Sequence, residues 1–334
     1  MRKTIFLGSV AFVNAAFLLL QLLAMGSLGS CFEFPILSLA VPLLFFINIS
    51  FFIFWLIRFQ WPLLMIVLLF MIGYEELQLL YQFEDNGFSA ENGVSVMSYN
   101  VRSFNRFKWI NSINIPDKIE RFINKEDPDI ICFQEYSKKE SPNFKNYPYK
   151  IFKPYVGSGQ IGLCIISKLP LFNSKTINFT ASTNGGLYAN FLWKKDTIRI
   201  YNVHFESVRI DFKDTLITSK YSQKFRRKIN ETFKIQKSQV SQFNSINNEN
   251  DHPEIICTDL NNNAFSEVYL NLKKGRKDAF LKKGMGFGAT YDFLYFPLRI
   301  DFIMTNPKAN ILSYKTHEVK LSDHKPISAI IKLP

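Results

Sequence analysis

The chain opens with three stretches that carry no charged side chain, residues 4–32, 34–57 and 59–74. A membrane-spanning helix needs about 20 apolar residues. The first two stretches are long enough, and the third suffices only if its helix runs on through Glu75 and Glu76 into the headgroup layer. A cleaved signal peptide has a shorter apolar run and is not followed by further apolar segments. The pattern predicts an anchor of about three transmembrane helices over residues 1–80 and a polar linker over 81–93. From residue 94 the periodicity changes. Short apolar runs read as strands at 94–99, 129–133, 161–167, 187–193, 197–204, 254–258, 300–305 and 327–333. Ile119, Phe122 and Ile123 recur at helical spacing over 117–126, ahead of Pro128. Phe225, Ile229, Phe233, Val240 and Phe243 mark a long helix over 222–246, and 265–272 reads as a shorter one. Strands alternating with helices predict a mixed α/β domain with a large sheet content.

Charge orients this arrangement. Arg2 and Lys3 precede the first span, Arg58 separates the second from the third, and the loop at 26–34 has no basic residue. The positive-inside rule places the N-terminus and Arg58 in the cytoplasm. Three crossings then deliver the domain to the opposite face, the periplasm if the anchor sits in a bacterial inner membrane. Residues 1–90 hold three of the 40 basic and five of the 28 acidic residues, which leaves 37 against 23, a net charge of +14, on the rest. Such a surface suits phosphate-rich partners, whether nucleic acid or anionic lipid. Cys132, Cys164 and Cys257 lie within apolar runs and read as buried small hydrophobes, while Cys31 falls in the first inter-helix loop. Their spacing fits neither a metal site nor a disulfide framework.

The strand-like runs end in unusual company. Asn100 closes the first, and Gln134 and Glu135 follow the second. Asn202 and His204 end another, Asp259 and Asn261 follow Ile255 to Thr258, and Asp301 precedes Phe302 and Ile303. Ser322, Asp323 and His324 add one more carboxylate and imidazole. A core does not need such groups at so many strand ends, whereas a hydrolytic site holding a divalent metal does. A strand-end carboxylate suits Mg²⁺, which prefers oxygen ligands and keeps several waters. Each residue alone has a plainer reading. Glu135 would be a surface residue at a strand–loop junction, Asn100 a turn former, Asp259 to Asn261 an Asx turn, and His204 a buried strand histidine. Arg226, Arg227 and their basic neighbours would be a solvated helix face. The glycine-rich run from Gly284 to Tyr291 lacks the strand–loop–helix context of a phosphate loop and reads as a rim loop.

The order and spacing of these segments, over residues 94–332, resembles the endonuclease/exonuclease/phosphatase superfamily, here in a membrane-anchored bacterial form. The resemblance implies two packed mixed β-sheets flanked by helices, the deoxyribonuclease I-like four-layer sandwich, preceded by an all-helical transmembrane segment. It implies that Asp259 acts as base toward water, that Asn261 fixes water or phosphate, and that His204 binds phosphate. His324 would stabilise the pentavalent phosphate, kept oriented and cationic by Asp301. Glu135, Asn100 and Asp323 are the implied metal ligands, with Mg²⁺ as cofactor and Mn²⁺ as its substitute. Arg102, in an Asn-x-Arg pattern shared with deoxyribonuclease I-like members rather than the repair nucleases, would contact a substrate phosphate. Thr258 stands where the family usually has Gly, and Glu206 lies in a segment that departs from commoner versions and receives no role. The expectation is a membrane-anchored, Mg²⁺-dependent phosphodiester hydrolase with nucleic acid as the favoured substrate. A phospholipid-headgroup or inositol-phosphate phosphatase is the enzymatic alternative, and a non-catalytic phosphate-binding module of the same fold the other. A module that only binds would not need the base and both imidazoles. No protein partner is implied.

Overall fold

A computed structural model describes residues 2–24, 37–83, 93–180, 182–208, 219–293 and 296–333. Cys31, the loop at 26–34 and most of the linker at 81–93 lie outside the described residues. The chain divides into two compact units. One comprises Met1–Tyr81, Val208–Lys234 and Asn263–Leu270, and the other Gln82–Ser207, Ile235–Asn262 and Asn271–Pro334.

In the first unit, α1 (Arg2–Ala24) and α2 (Leu37–Arg58) are long and apolar enough to cross a membrane. Side-chain amides join them. Asn14 donates to Asn48 at 3.4 Å, Asn48 donates to Gln21 at 2.6 Å, and the Trp55 indole donates to Asn14 at 3.1 Å. Such pairs hold apolar helices together where no hydrophobic effect acts between them. The third apolar stretch is broken. It forms α3 (Pro62–Ile72) and α4 (Tyr74–Leu80), bent by 74° at Gly73, so the two count as a third span only if a bent pair crosses. The break falls where Glu75 and Glu76 enter the first turn of α4, the helix end that favours negative charge.

The second unit is a sandwich. One six-stranded sheet has the order β13-β14-β1-β2-β4-β3, and the other β5-β6-β7-β8-β12-β9. Their strands are β1 (Val94–Asn100), β2 (Ile130–Ser137), β3 (Tyr149–Pro154), β4 (Ile161–Ser167), β5 (Leu171–Asn178), β6 (Gly185–Trp193), β7 (Asp196–His204), β8 (Glu254–Asp259), β9 (Lys277–Asp278), β12 (Asp301–Thr305), β13 (Asn310–Thr316) and β14 (Ile327–Lys332). A separate ribbon pairs β10 (Tyr291–Phe293) with β11 (Phe296–Leu298). Each large sheet has one parallel pair, β1 with β2 and β7 with β8, and the other pairs are antiparallel. A parallel pair needs a crossover. α5 (Ile115–Glu126) supplies the first and α6 (Ser219–Asn248) the second.

Alternation along the strands builds the core. Val94, Val96, Ile130, Cys132, Leu187, Ile200, Ile255, Cys257 and Ile303 share the core between the sheets. Met97, Tyr99, Ile131 and Phe133 point outward and pack with Ile115, Ile119 and Ile123 of α5. Phe243 of α6 packs its ring on Tyr201 at 5.3 Å, outside the second sheet. Cys132, Cys164 and Cys257 are buried free thiols. Strands β3, β5 and β13 were not expected. They are edge strands with an exposed face, so their sequences carry little of the apolar alternation that marks an inner strand.

His317 supplies a stability prediction. Its ring is buried, with Nε2 2.8 Å from Ser328 Oγ and the Phe122 ring at 5.1 Å. Burial drives its pKa down to about 4, against the pull of Glu126 at 3.6 Å. Between the unfolded value near 6.5 and about 4, the unfolded chain takes up a proton that the folded ring refuses, so stability is lost as pH falls. The loss is expected on the order of 2–3 kcal/mol. Thermal melts of the full chain and of His317→Gln from pH 7 to 4.5 check it. The variant should lose less, and equal losses would remove His317 from the account.

Candidate active site

Register assembles the site. On β7 and β8, His204 lies opposite Asp259, and on β12 Asp301 lies opposite Asp259 from the other side. One row across three neighbouring strands therefore holds an imidazole and two carboxylates, with Asp259 in the middle. In the other sheet, Asn100 lies opposite Gln134 at the carboxyl ends of β1 and β2. A period of two carries the inner face from apolar to polar along each of these strands. Val96 leads to Ser98 and Asn100, Cys132 to Gln134, Ile200 to Asn202 and His204, and Cys257 to Asp259. A buried amide layer forms the floor. Gln134 donates to Ser98 Oγ at 3.1 Å and to Asn202 Oδ1 at 2.8 Å, while Asn202 donates to the Phe133 and Cys164 carbonyls at 2.8 and 3.1 Å.

Local backbone then aims the remaining groups. The β2–β4 register shifts between Phe133 and Tyr136, a β-bulge at Gln134 and Glu135. Bulges re-aim side chains next to active sites. Glu135 sits there at φ +50°, Asn261 at φ +51°, and Arg102 to Asn105 form four successive positive-φ residues. Each left-handed non-glycine residue costs on the order of 1–2 kcal/mol. Such strain persists where the surroundings impose it, commonly at functional sites.

Asp259 is the hub. Its Oδ2 accepts from the Asn100 amide at 2.8 Å and lies 3.5 Å from His204 Nε2 and 3.8 Å from His324 Nε2. Its Oδ1 accepts the Asn261 main-chain N–H at 2.9 Å. Asn261 also places its side-chain nitrogen 2.9 Å from His204 Nε2. His324 Nδ1 is 2.9 Å from Asp301 Oδ2, and both residues are buried. Burial alone would lower the His324 pKa, but Asp301 and Asp259 outweigh it and hold the ring well above its ordinary value. At neutral pH the ring is therefore an imidazolium. Glu135, half-buried, receives a single side-chain hydrogen bond among the described residues, from Asn100 at 3.3 Å.

Seven of the expected residues thus meet: Asn100, Glu135, His204, Asp259, Asn261, Asp301 and His324. Asp323, expected among the metal ligands, is ion-paired with Arg102 beside them. Glu206 instead accepts from Ser182 Oγ at 2.6 Å. The glycine-rich run contributes more than a rim. Thr290 Oγ1 accepts the Ile300 and Asp301 N–H groups, each at 3.1 Å, and the Tyr291 ring lies 5.1 Å from that of His324. Tyr155 went unnoticed in the sequence. Its hydroxyl lies 2.5 Å from His204 Nδ1 and accepts the Glu135 N–H at 3.1 Å. Burial and the Glu135 charge push its pKa well up, so it remains a neutral phenol. Only the pairing of β3 with β4 brings it here, and β3 has no strong strand signal.

Residues 97–324 match the model of the Endonuclease/Exonuclease/phosphatase family. The chain belongs to this family. No curated protein matches. Among solved structures, the endonuclease/exonuclease/phosphatase from Bacteroides vulgatus is 18% identical with a TM-score of 0.57, over 73% of this chain and 100% of the other. The human Nocturnin catalytic domain with bound sulfate is 17% identical with a TM-score of 0.56, over 76% and 97%. The Bacteroides thetaiotaomicron mannosyl-6-phosphatase is 15% identical with a TM-score of 0.52, over 71% and 99%. The shared fold is the deoxyribonuclease I-like pair of packed mixed sheets flanked by helices.

Members of the endonuclease/exonuclease/phosphatase family are generally hydrolases of phosphate esters and are typically dependent on a divalent metal. The donors present suit such an ion. In the buried group of Asp259, Asp301 and His324, whose ligand atoms lie within 4.8 Å of one another, the two carboxylates offer oxygens. The Glu135 carboxylate keeps most of its lone pairs unused beside Asn100, which suits a hard cation that binds oxygen.

Proposed function

We propose that this protein is a membrane-anchored, Mg²⁺-dependent phosphodiesterase with nucleic acid as its favoured substrate. The observation that carries the reading is Asp259, a fully buried carboxylate set between an amide and two imidazoles, one of them held cationic by Asp301. Asp259 accepts the proton of an attacking water, and Asn261 fixes that water or a phosphate oxygen. His204 binds a phosphate oxygen. His324 donates a hydrogen bond to the negative charge that develops on phosphorus-bound oxygen, a preorganised donor in a dry site. Glu135 and Asn100 are the residues that would hold Mg²⁺, with Asp323 reaching the same region through its pair with Arg102. Bound there, Mg²⁺ would supply charge neutralisation and a Lewis acid.

The substrate preference is supported by the net charge of +14 outside residues 1–90 and by the Asn100-x-Arg102 pattern. The deciding experiment presents the full chain in nanodiscs with DNA, RNA, phosphoinositides and sphingomyelin, each with and without Mg²⁺. Metal-dependent cutting of nucleic acid is expected, with binding that weakens as salt rises. Cleavage confined to lipid headgroups would overturn the nuclease preference and keep the phosphoesterase.

For the anchor, the proposal is that α3 and α4 cross as a bent third span, which puts the domain outside the cytoplasmic membrane and into the periplasm of a Gram-negative cell. Arg2, Lys3 and Arg58 on one side support it. Reporter fusions after residue 83 should be active in the periplasm for alkaline phosphatase and dark for green fluorescent protein. The opposite pattern would mean that only α1 and α2 cross.

A further inference from the structure

The segment after β1 presents two aromatic rings to solvent. Phe107 is 56% exposed and Trp109 54% exposed, their ring centroids 5.8 Å apart. Isolated exposed apolar residues are ordinary, but these are not isolated. The Arg102 guanidinium lies over the Trp109 ring at 4.1 Å while it pairs with Asp323, the neighbour of His324. Arg106 lies 5.7 Å over Phe107, and Lys108, between the two aromatics in sequence, is exposed. One guanidinium therefore links the indole to the edge of the catalytic cluster.

The loop is built to hold this arrangement. Phe104 is buried against Phe133 and Tyr136, with centroids at 6.1 and 5.2 Å, and anchors the left-handed turn. The Asn105 side chain closes the loop from both sides, donating to the Ile110 carbonyl and accepting the Ile110 N–H, each at 2.9 Å. Lys108 N–H bonds back to the Asn105 carbonyl at 2.9 Å. The rings are thus presented on a constrained backbone, which reduces the ordering cost of binding. Nothing in the proposed hydrolysis uses them.

We propose that Trp109 and Phe107, with Arg102, Arg106 and Lys108, form a stacking platform for an unpaired base of single-stranded nucleic acid beside the scissile phosphate. The inference rests on the nuclease reading and narrows it. Aromatic rings stack any base because every base has a π-face, and interleaved cations follow the backbone phosphates. The link from Trp109 through Arg102 to Asp323, the neighbour of His324, favours this occupant over a lipid bilayer, because it ties the rings to the cluster where a substrate phosphate would sit. Both rings carry a guanidinium, which sets a cation for a backbone phosphate beside each stacking face.

The test measures binding apart from cleavage. The full chain carrying Asp259→Asn is held in nanodiscs of zwitterionic lipid in EDTA, and fluorescence anisotropy compares oligothymidylate with an abasic strand of equal length. Oligothymidylate should bind about tenfold more tightly. Trp109→Ala should bring that ratio within about twofold, Trp109→Phe should keep most of it, and Asn105→Ala, which frees the loop but spares the rings, should reduce it. Equal weakening on both strands in Trp109→Ala, or no preference for the strand with bases, would overturn the platform. So would a Trp109-dependent part of the fluorescence quenched by brominated lipid, which would assign the loop to the bilayer. Failure of the nuclease reading is separate. It shows as absence of Mg²⁺-dependent cutting by the unsubstituted chain, whatever the base preference.

Discussion

Asp259→Asn should lower phosphodiester hydrolysis by about 10² to 10⁴ while leaving the protein folded. The change keeps the shape and an acceptor for the Asn261 N–H, but it removes the base proposed to take the proton from water. It also turns an amide donor toward the Asn100 amide, which already donates to this position at 2.8 Å. The variant should therefore melt near the unsubstituted protein, with some loss from the mismatched pair. Measurement of kcat on whichever substrate the panel identifies, with a thermal melt as control, decides the matter. Normal turnover by this variant, above all in excess EDTA, would remove both the base and the metal from the mechanism. Glu135→Gln offers an independent arm. Its loss of rate should shrink as Mg²⁺ is raised if Glu135 holds the ion, and should be insensitive to Mg²⁺ if it does not.

The second large effect belongs to Asp301. Its carboxylate is 2.9 Å from His324 Nδ1 and, with Asp259, holds the imidazolium well above its ordinary pKa despite burial. A histidine with a raised folded pKa contributes stability below its unfolded value near 6.5, and this is lost as pH rises through the folded value. The same window governs the donor. In the unsubstituted enzyme activity should persist well above pH 6.5. In Asp301→Asn the largest counter-charge is gone and burial then dominates, so the alkaline limb should move toward or below pH 6.5. At pH 8 the rate should fall roughly 10² to 10³. A pH–rate profile of the two proteins is the measurement. An unmoved alkaline limb would show that His324 does not act as a cationic donor.

Much of this site was legible in the residues themselves, and the legible part has a common character. Asn100, Glu135, His204 and Asp259 each stand at the end of an apolar run and Asp301 at the start of one, and where a strand begins or ends depends on its own alternation. The two long apolar helices are readable for a similar reason, since length and absence of charge are local properties. The break at Gly73 was harder. Its residues remain apolar up to Tyr74, and composition does not record a bend of 74°.

Partner choice is what tertiary structure alone decides. His204, Asp259 and Asp301 come from three strands, and only the register of β7, β8 and β12 aligns them in one row. The Asp323 carboxylate faces Arg102 from 221 positions further along the chain, so no spacing rule links them. Tyr155 follows an edge strand whose outward polar residues mask its periodicity, yet the pairing of that strand carries the hydroxyl between Glu135 and His204. The bulge that turns Glu135 arises from one unmatched residue between β2 and β4, which neither strand's sequence contains by itself. Residue type and alternation are carried by neighbours in the chain, and they determine which groups reach the strand ends. Distances of a few ångströms between those ends depend on long-range pairing, and that pairing exists only in the folded sandwich.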